Sequence, residues 1–127
     1  MKAFGKTMYE NITLNKPKVI VTRSGNVRTV NELCIKVEYD CNAYRVSVRP
    51  YERKGSQSSA VTDVNDFRLR GTEVPVVRAD KYSSRTLSEV WNTICEIKHL
   101  LKYFYEQGDL DGIVETLKAI SEIKTKK

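Results

Sequence analysis

One stretch of this sequence alternates strictly between apolar and polar side chains, and it restricts the fold more than any other feature. From Leu33 to Tyr39 every second side chain is apolar, and the pattern resumes from Tyr44 to Val48 after the polar residues 40–42. Period-two alternation places the two kinds of side chain on opposite faces of a strand. Two such strands joined by a short turn predict a β-hairpin with one apolar and one polar face.

Neighbouring segments extend this hairpin into a sheet. Residues 18–23 are rich in β-branched side chains, and residues 67–70 alternate in the same way. Residues 72–78 are expected to form an edge strand, because Pro75 cannot donate a ladder hydrogen bond. Residues 52–66 are rich in serine and charge and are interpreted as a long mobile loop. Residues 1–16 show no clear period and are interpreted as an N-terminal arm.

The C-terminal third is typical of two amphipathic helices. Thr86 and Glu89 have the spacing of a capping box at the start of the first helix. Gly108 is placed to end that helix in a left-handed conformation, and Asp109 is placed to cap the second one. Apolar side chains recur at helical spacing, and Trp91 lies among those expected in the core. A short connection predicts an antiparallel pair that packs on the apolar face of the sheet.

These elements predict one α+β domain over residues 1–127. An antiparallel sheet of three to five strands occupies residues 17–80, and an antiparallel helical hairpin occupies residues 83–125. The length of 127 residues is sufficient for a single domain with a modest core.

The composition argues against most kinds of catalysis. The chain has one histidine, His99, and three cysteines without metal-ligand spacing. We therefore predict no catalytic residue, no metal site and no cofactor. Glu-Ile-Lys occurs at residues 96–98 and 122–124, but both copies lie in predicted helices, which makes a carboxylate-metal nuclease the weakest of the function classes considered. The chain shows no apolar run of membrane-spanning length and no signal-peptide core, which predicts a cytoplasmic protein.

Basic side chains on and around the hairpin are the strongest positive indication of function. The net charge is +6, and residues 1–30 hold six basic residues against one acidic residue. Such a surface attracts nucleic acid or an acidic protein surface, although a solvated sheet face would have the same composition. The predicted binding residues are Lys36, Arg45, Arg49, Tyr51, Arg53, Lys54, Arg68 and Arg70.

The segment from Glu32 to Ser47, ELCIKVEYDCNAYRVS, resembles the central strand-turn-strand of a small phage-encoded anti-CRISPR protein that inhibits Cas9. The shared positions are Leu33, Ile35, Val37, Asp40, Asn42, Tyr44 and Ser47. That inhibitor is strongly acidic and imitates DNA, whereas this chain is basic and longer. The resemblance therefore implies the class of protein, a phage or mobile-element inhibitor that binds a host machine, and not DNA mimicry.

Together these features predict a non-enzymatic binding protein, an anti-CRISPR-like inhibitor of a bacterial nucleic-acid machine. It would occlude its partner through the basic face of the sheet, in the cytoplasm of the host cell if it is phage-encoded. The expected partner is a bacterial protein or ribonucleoprotein complex, such as a CRISPR effector, with or without direct contact to DNA or RNA. The alternative is a stand-alone nucleic-acid-binding domain.

Overall fold

A six-stranded antiparallel sheet is followed by two helices, which confirms the predicted α+β class. The computed structural model describes residues 2–22, 24–61 and 73–125. The elements are β1 (Lys2–Phe4), β2 (Thr7–Val21), β3 (Val27–Asp40), β4 (Ala43–Lys54), β5 (Gln57–Ala60), β6 (Glu73–Arg78), α1 (Ser84–Glu106) and α2 (Leu110–Thr125).

The sheet follows the order of the chain from β1 to β5, and all of its pairings are antiparallel. Strand β6 also pairs with β4, next to residues 43–47, whereas β5 pairs with residues 51–54. The predicted hairpin is confirmed as β3–β4, with Tyr39 opposite Tyr44 and Leu33 opposite Pro50. Its turn residues Cys41 (φ 49°) and Asn42 (φ 57°) are both left-handed, as a tight two-residue hairpin turn requires.

Both helices pack against the apolar face of this sheet and bury it. Val37, Tyr44 and Val46 are fully buried at the centre of the sheet, and Trp91 and Ile94 of α1 belong to the same core. Neither helix can bury its apolar stripe alone, so the sheet and the helical hairpin stabilise each other.

The helix ends agree with the sequence in two of three cases. Gly108 has φ 75°, and the Asp109 carboxylate accepts a hydrogen bond from Gly112 N at 2.9 Å. The predicted cap at Thr86 is wrong. Ser83 caps α1, because its hydroxyl accepts from Thr86 N and its carbonyl accepts from Leu87 N, so that Thr86 already lies in the first turn.

Two predicted irregular segments are strands instead. Residues 7–16 of the expected arm belong to β2, because Met8, Ile12 and Leu14 alternate with polar residues and bury their side chains beside β3. Residues 52–60 of the expected mobile loop complete β4 and form β5, joined by a turn in which Gly55 has φ 62°. Val61 of that loop is buried, and its N–H donates to the carbonyl of Pro50 at 3.0 Å. Residues 62–66 and the strand expected at residues 67–70 lie outside the described residues. Strand β6 contains Pro75 and, among the described residues, pairs only with β4, as expected of an edge strand.

Within the described part of the chain, no helix combines the length and the apolar character needed to cross a membrane.

Candidate functional site

The face of the sheet opposite the helices carries most of the predicted binding residues. Directly opposed residues on adjacent antiparallel strands share a face, and this face includes the pairs Tyr9–Lys36, Cys34–Arg49 and Glu38–Arg45. We call it the uncovered face, because no helix of the described residues packs on it. Its main polar and aromatic members are Tyr9, Asn11, Glu32, Lys36, Glu38, Arg45, Arg49, Tyr51 and Arg53.

The structure brings five of the eight predicted binding residues together on this face. They are Lys36, Arg45, Arg49, Tyr51 and Arg53. Lys54 does not share this face, because successive side chains of a strand point to opposite sides. Its Nζ lies 4.0 Å from Glu52 Oε1, and its side chain is 80% exposed. Arg68 and Arg70 lie outside the described residues.

The basic side chains on the uncovered face differ in their partners. Arg53 forms an ion pair with Glu32, and Lys36 Nζ lies 3.6 Å from Glu38 Oε1. Arg45 Nε donates to the carbonyl of Asp40 at 3.1 Å. Arg49 Nε is buried and has no hydrogen-bond partner. Among the described residues, no carboxylate pairs with Arg45 or Arg49, so these two guanidinium groups are the cations best placed to meet an anionic ligand.

Glu32 is a buried carboxylate at the centre of a polar cluster. Asn11 Nδ2 donates to Glu32 Oε1 at 3.1 Å, Ser58 Oγ donates to the same oxygen at 2.9 Å, and Arg53 donates to the other oxygen. Burial alone would raise the pKa of Glu32, but the hydrogen bonds from Arg53, Asn11 and Ser58 outweigh it and hold this pKa below its usual value of 4.5. The ionised Glu32 therefore ties β2, β3, β4 and β5 together.

We expect this cluster to make folding sensitive to acid. A carboxyl whose pKa is lower in the folded state stabilises the fold above about pH 4.5, and this contribution is lost as the pH falls through the folded-state pKa. Glu32→Gln should therefore lower the free energy of unfolding at about pH 7 more than at about pH 3. Urea denaturation of both proteins at the two pH values measures this difference.

Glu115→Gln is the matched control for this prediction, because Glu115 is exposed on α2. It should leave the pH dependence of stability unchanged. An equal loss of stability at both pH values in Glu32→Gln would show that the charge of Glu32 contributes nothing to the fold.

Two tyrosines give the uncovered face an aromatic component. Tyr9 on β2 and Tyr51 on β4 are half-buried. Burial raises the pKa of Tyr51, with a smaller contribution from Cys34. Tyr51 therefore carries a neutral phenol at neutral pH. Both tyrosines offer a ring that can stack on a base or pack on a protein surface.

Cys34 places a thiol on the uncovered face, opposite Arg49. Burial raises the pKa of the Cys34 thiol, which keeps it protonated and a poor nucleophile. His99 is exposed on α1. Among the described residues, no three His, Cys, Asp or Glu side chains are grouped so that they could hold a metal ion.

The sequence analysis missed Tyr9, Asn11 and the role of Glu32. The first two were overlooked because residues 1–16 were interpreted as an arm. The buried side chains of Met8, Ile12 and Leu14 at even positions place Tyr9 and Asn11 on the other face of the same strand. The signal that could have found them is the alternation of Met8, Ile12 and Leu14 with their neighbours, which Glu10 interrupts.

Comparison of the chain with protein-family models, curated proteins and solved structures found no match.

Proposed function

We propose that this protein is a non-enzymatic inhibitor that binds a bacterial nucleic-acid machine through its uncovered face. The observation that carries the proposal is a sheet face on which Arg45 and Arg49 have no carboxylate partner among the described residues and lie near a half-buried tyrosine, Tyr51. Arginine and tyrosine dominate the binding energy of many protein interfaces, because both combine a flat apolar surface with directed hydrogen bonds.

The expected partner is a ribonucleoprotein nuclease of the CRISPR type. The resemblance of residues 32–47 to a Cas9 inhibitor supports this choice, and the hairpin that carries it also supplies Arg45 of the uncovered face. A guanidinium group can pair with a carboxylate of the protein or with a phosphate of its guide RNA or target DNA. Binding at such a place would prevent the machine from engaging its target.

A stand-alone nucleic-acid-binding domain is the second candidate. The observation that favours it is the presence of Tyr9 and Tyr51 on one face with basic side chains, which is the combination used by surfaces that stack bases and follow a phosphate backbone.

We expect charge reversal at Arg45 and Arg49 to abolish inhibition. The test measures DNA cleavage by purified Cas9 with its guide RNA, in the presence of the wild-type protein or of the Arg45→Glu/Arg49→Glu variant. Arg53 is left unchanged, because it pairs with the buried Glu32 and its loss would disturb the fold. Cleavage should be blocked by the wild type and restored with the variant.

The matched control is Arg85→Glu/Lys118→Glu, which makes the same change in net charge on exposed positions of α1 and α2. It should inhibit as the wild type does and keep the wild-type melting temperature, since substitutions at exposed positions change stability by about 0.5 kcal/mol or less. Circular dichroism checks that the Arg45→Glu/Arg49→Glu variant is folded, because Arg49 Nε is buried. Equal inhibition by all three proteins would remove Arg45 and Arg49 from the binding site. No inhibition by the wild type would remove Cas9 as the partner.

The dependence of binding on salt separates the two candidates. A domain that binds naked DNA releases counterions, so that log affinity falls by about 0.9 per phosphate contacted for each unit of log salt. An inhibitor that contacts a protein surface should show a shallower slope, because aromatic and apolar contacts supply part of its energy. We expect weak binding to naked DNA or RNA in fluorescence anisotropy. Tight and steeply salt-dependent binding would favour the second candidate.

A further inference from the structure

Beyond the main sheet, β2 and β3 continue together as a two-stranded ribbon. Their register shifts between Thr13 and Lys18, and pairing then runs from Lys18 opposite Val30 to Val21 opposite Val27. The turn closes with Thr22 N donating to the carbonyl of Asn26 at 2.9 Å. We call residues 18–30 the ribbon.

The outer edge of the ribbon has unpaired backbone groups on β2. Hydrogen-bonded and non-hydrogen-bonded residue pairs alternate along two antiparallel strands. Since Thr22 is hydrogen-bonded to Asn26, the N–H and C=O groups of Val19 and Val21 point away from β3. No described residue bonds to them. Strand β1 pairs only with residues 7–9, and the carboxylate of Glu106 in α1 accepts from Asn15 N and Lys16 N.

The other edge of the ribbon is already partly occupied. Thr29 N, which also points away from its ladder partner, donates to Glu52 Oε2 at 3.1 Å. Arg28 is held there as well, by an ion pair with the same carboxylate. The open groups therefore lie on the β2 side of the ribbon.

Three valines on the ribbon expose their side chains to an unusual degree. Val19 is 70% exposed, Val27 is 69% exposed and Val21 is 49% exposed. Val21 and Val27 are directly opposite each other, and Val19 lies two residues away on the same face. Open backbone groups next to exposed β-branched side chains are the features that allow an added strand to pair with a sheet edge.

The charge around this edge selects the kind of strand that can be added. Residues 11–31 contain four basic residues and no acidic one, and Lys16 and Lys18 directly precede the open positions. Because Arg28 is paired with Glu52, Lys16 and Lys18 are the cations at this edge among the described residues; Lys16 is exposed, and Lys18 Nζ lies 4.8 Å from the centre of the Tyr105 ring. We infer that the ribbon edge at Val19 and Val21 binds an extended segment of a partner protein that alternates apolar and acidic residues. A second copy of this chain is disfavoured as the occupant, because it would bring two clusters of positive charge together.

This surface is separate from the uncovered face, so the inference does not depend on the proposed function. The probe is a blocked peptide of about ten residues that alternates Glu and Val, with a Lys–Val peptide of the same length as its control. We expect the Glu–Val peptide to bind and to slow hydrogen exchange at the amides of Val19 and Val21. The Lys–Val peptide should not bind.

Val19→Pro is the sharpest variant, because it removes an outward N–H that makes no bond to β3. It should weaken binding of the Glu–Val peptide by about tenfold, since it removes one hydrogen bond and places a ring at the edge. Val19→Thr keeps the N–H and the β-branched shape and should bind within about twofold of the wild type. Circular dichroism checks that both variants are folded.

Lys16→Glu tests the charge without changing the backbone, and it serves also if Val19→Pro fails to fold. Lys18 is left unchanged, because its Nζ lies over the ring of the buried Tyr105. The Lys16→Glu variant should bind the Glu–Val peptide more weakly than the wild type does. Equal affinity of the wild-type protein for both peptides would overturn the inference. Binding of the Glu–Val peptide without slower hydrogen exchange at the amides of Val19 and Val21 would overturn it as well. Concentration-dependent dimerisation in sedimentation, abolished by Val19→Pro, would overturn it in favour of a second copy as the occupant.

Discussion

Replacement of Trp91 by alanine should lower the free energy of unfolding by about 3–5 kcal/mol. Trp91 is 4% exposed and lies in α1 among side chains that pack on the apolar face of the sheet. Truncation removes a large apolar side chain and leaves a cavity between two rigid layers, which cannot close without moving the helix. Urea denaturation monitored by circular dichroism measures the loss.

Tyr103→Ala is the matched control on the same helix. Tyr103 is 54% exposed, so its loss should change stability by about 0.5 kcal/mol or less. Similar stabilities of the Trp91 and Tyr103 variants would contradict the packing of α1 on the sheet. A folded Trp91→Ala protein with wild-type stability that fails to inhibit Cas9 would instead place Trp91 at an interface.

Replacement of Tyr44 by alanine should cost about as much, roughly 3–5 kcal/mol. The ring of Tyr44 is fully buried and lies 4.9 Å from the ring of Tyr39. Its hydroxyl donates to the carbonyl of Ser83 at 3.1 Å and accepts from Ser83 N at 2.7 Å. One side chain of the sheet thus satisfies both backbone groups of the residue that caps α1.

Tyr44→Phe separates the ring from the hydroxyl. It keeps the packing but leaves Ser83 N without its partner, whereas the Ser83 carbonyl keeps its hydrogen bond from Leu87 N. The unpaired N–H should cost about 1–3 kcal/mol. A Phe variant as stable as the wild type would show that water replaces the hydroxyl and that the ring alone stabilises this junction. Thermal unfolding of the two Tyr44 variants and the wild type gives the comparison.

The fold could be predicted where a single period governs a segment. The β3–β4 hairpin and both helices follow from side-chain alternation and from stripes at helical spacing. Residues 18–21 of β2 were predicted as a strand, but residues 7–16 were missed, because the alternation is interrupted by Glu10 and by the exposed residues Asn15, Lys16 and Pro17. These three lie where the register shifts, so the strand is irregular at the point where its sequence is irregular.

The candidate site could be predicted only in part, because alternation assigns residues to a face but does not pair them. The sequence indicates that Arg45, Arg49 and Arg53 share a face. It does not indicate that Arg53 pairs with Glu32. That ion pair depends on the register of β3 against β4, and on Asn11 of β2 and Ser58 of β5, which donate to the same carboxylate. The exposure of Val19 and Val27 could not be predicted from the sequence either, because it depends on where the neighbouring strands end.

The bonds from Glu106 to Asn15 N and Lys16 N join positions that are about ninety residues apart in the chain. A ribosome completes the whole sheet before it makes α1, so the nascent protein carries a bare apolar face and an open β2 edge for several seconds at typical rates of synthesis. Such surfaces are the ones that chaperones recognise and that promote aggregation. Production of this protein in cells should therefore depend on holdase chaperones until α1 and α2 have left the ribosome.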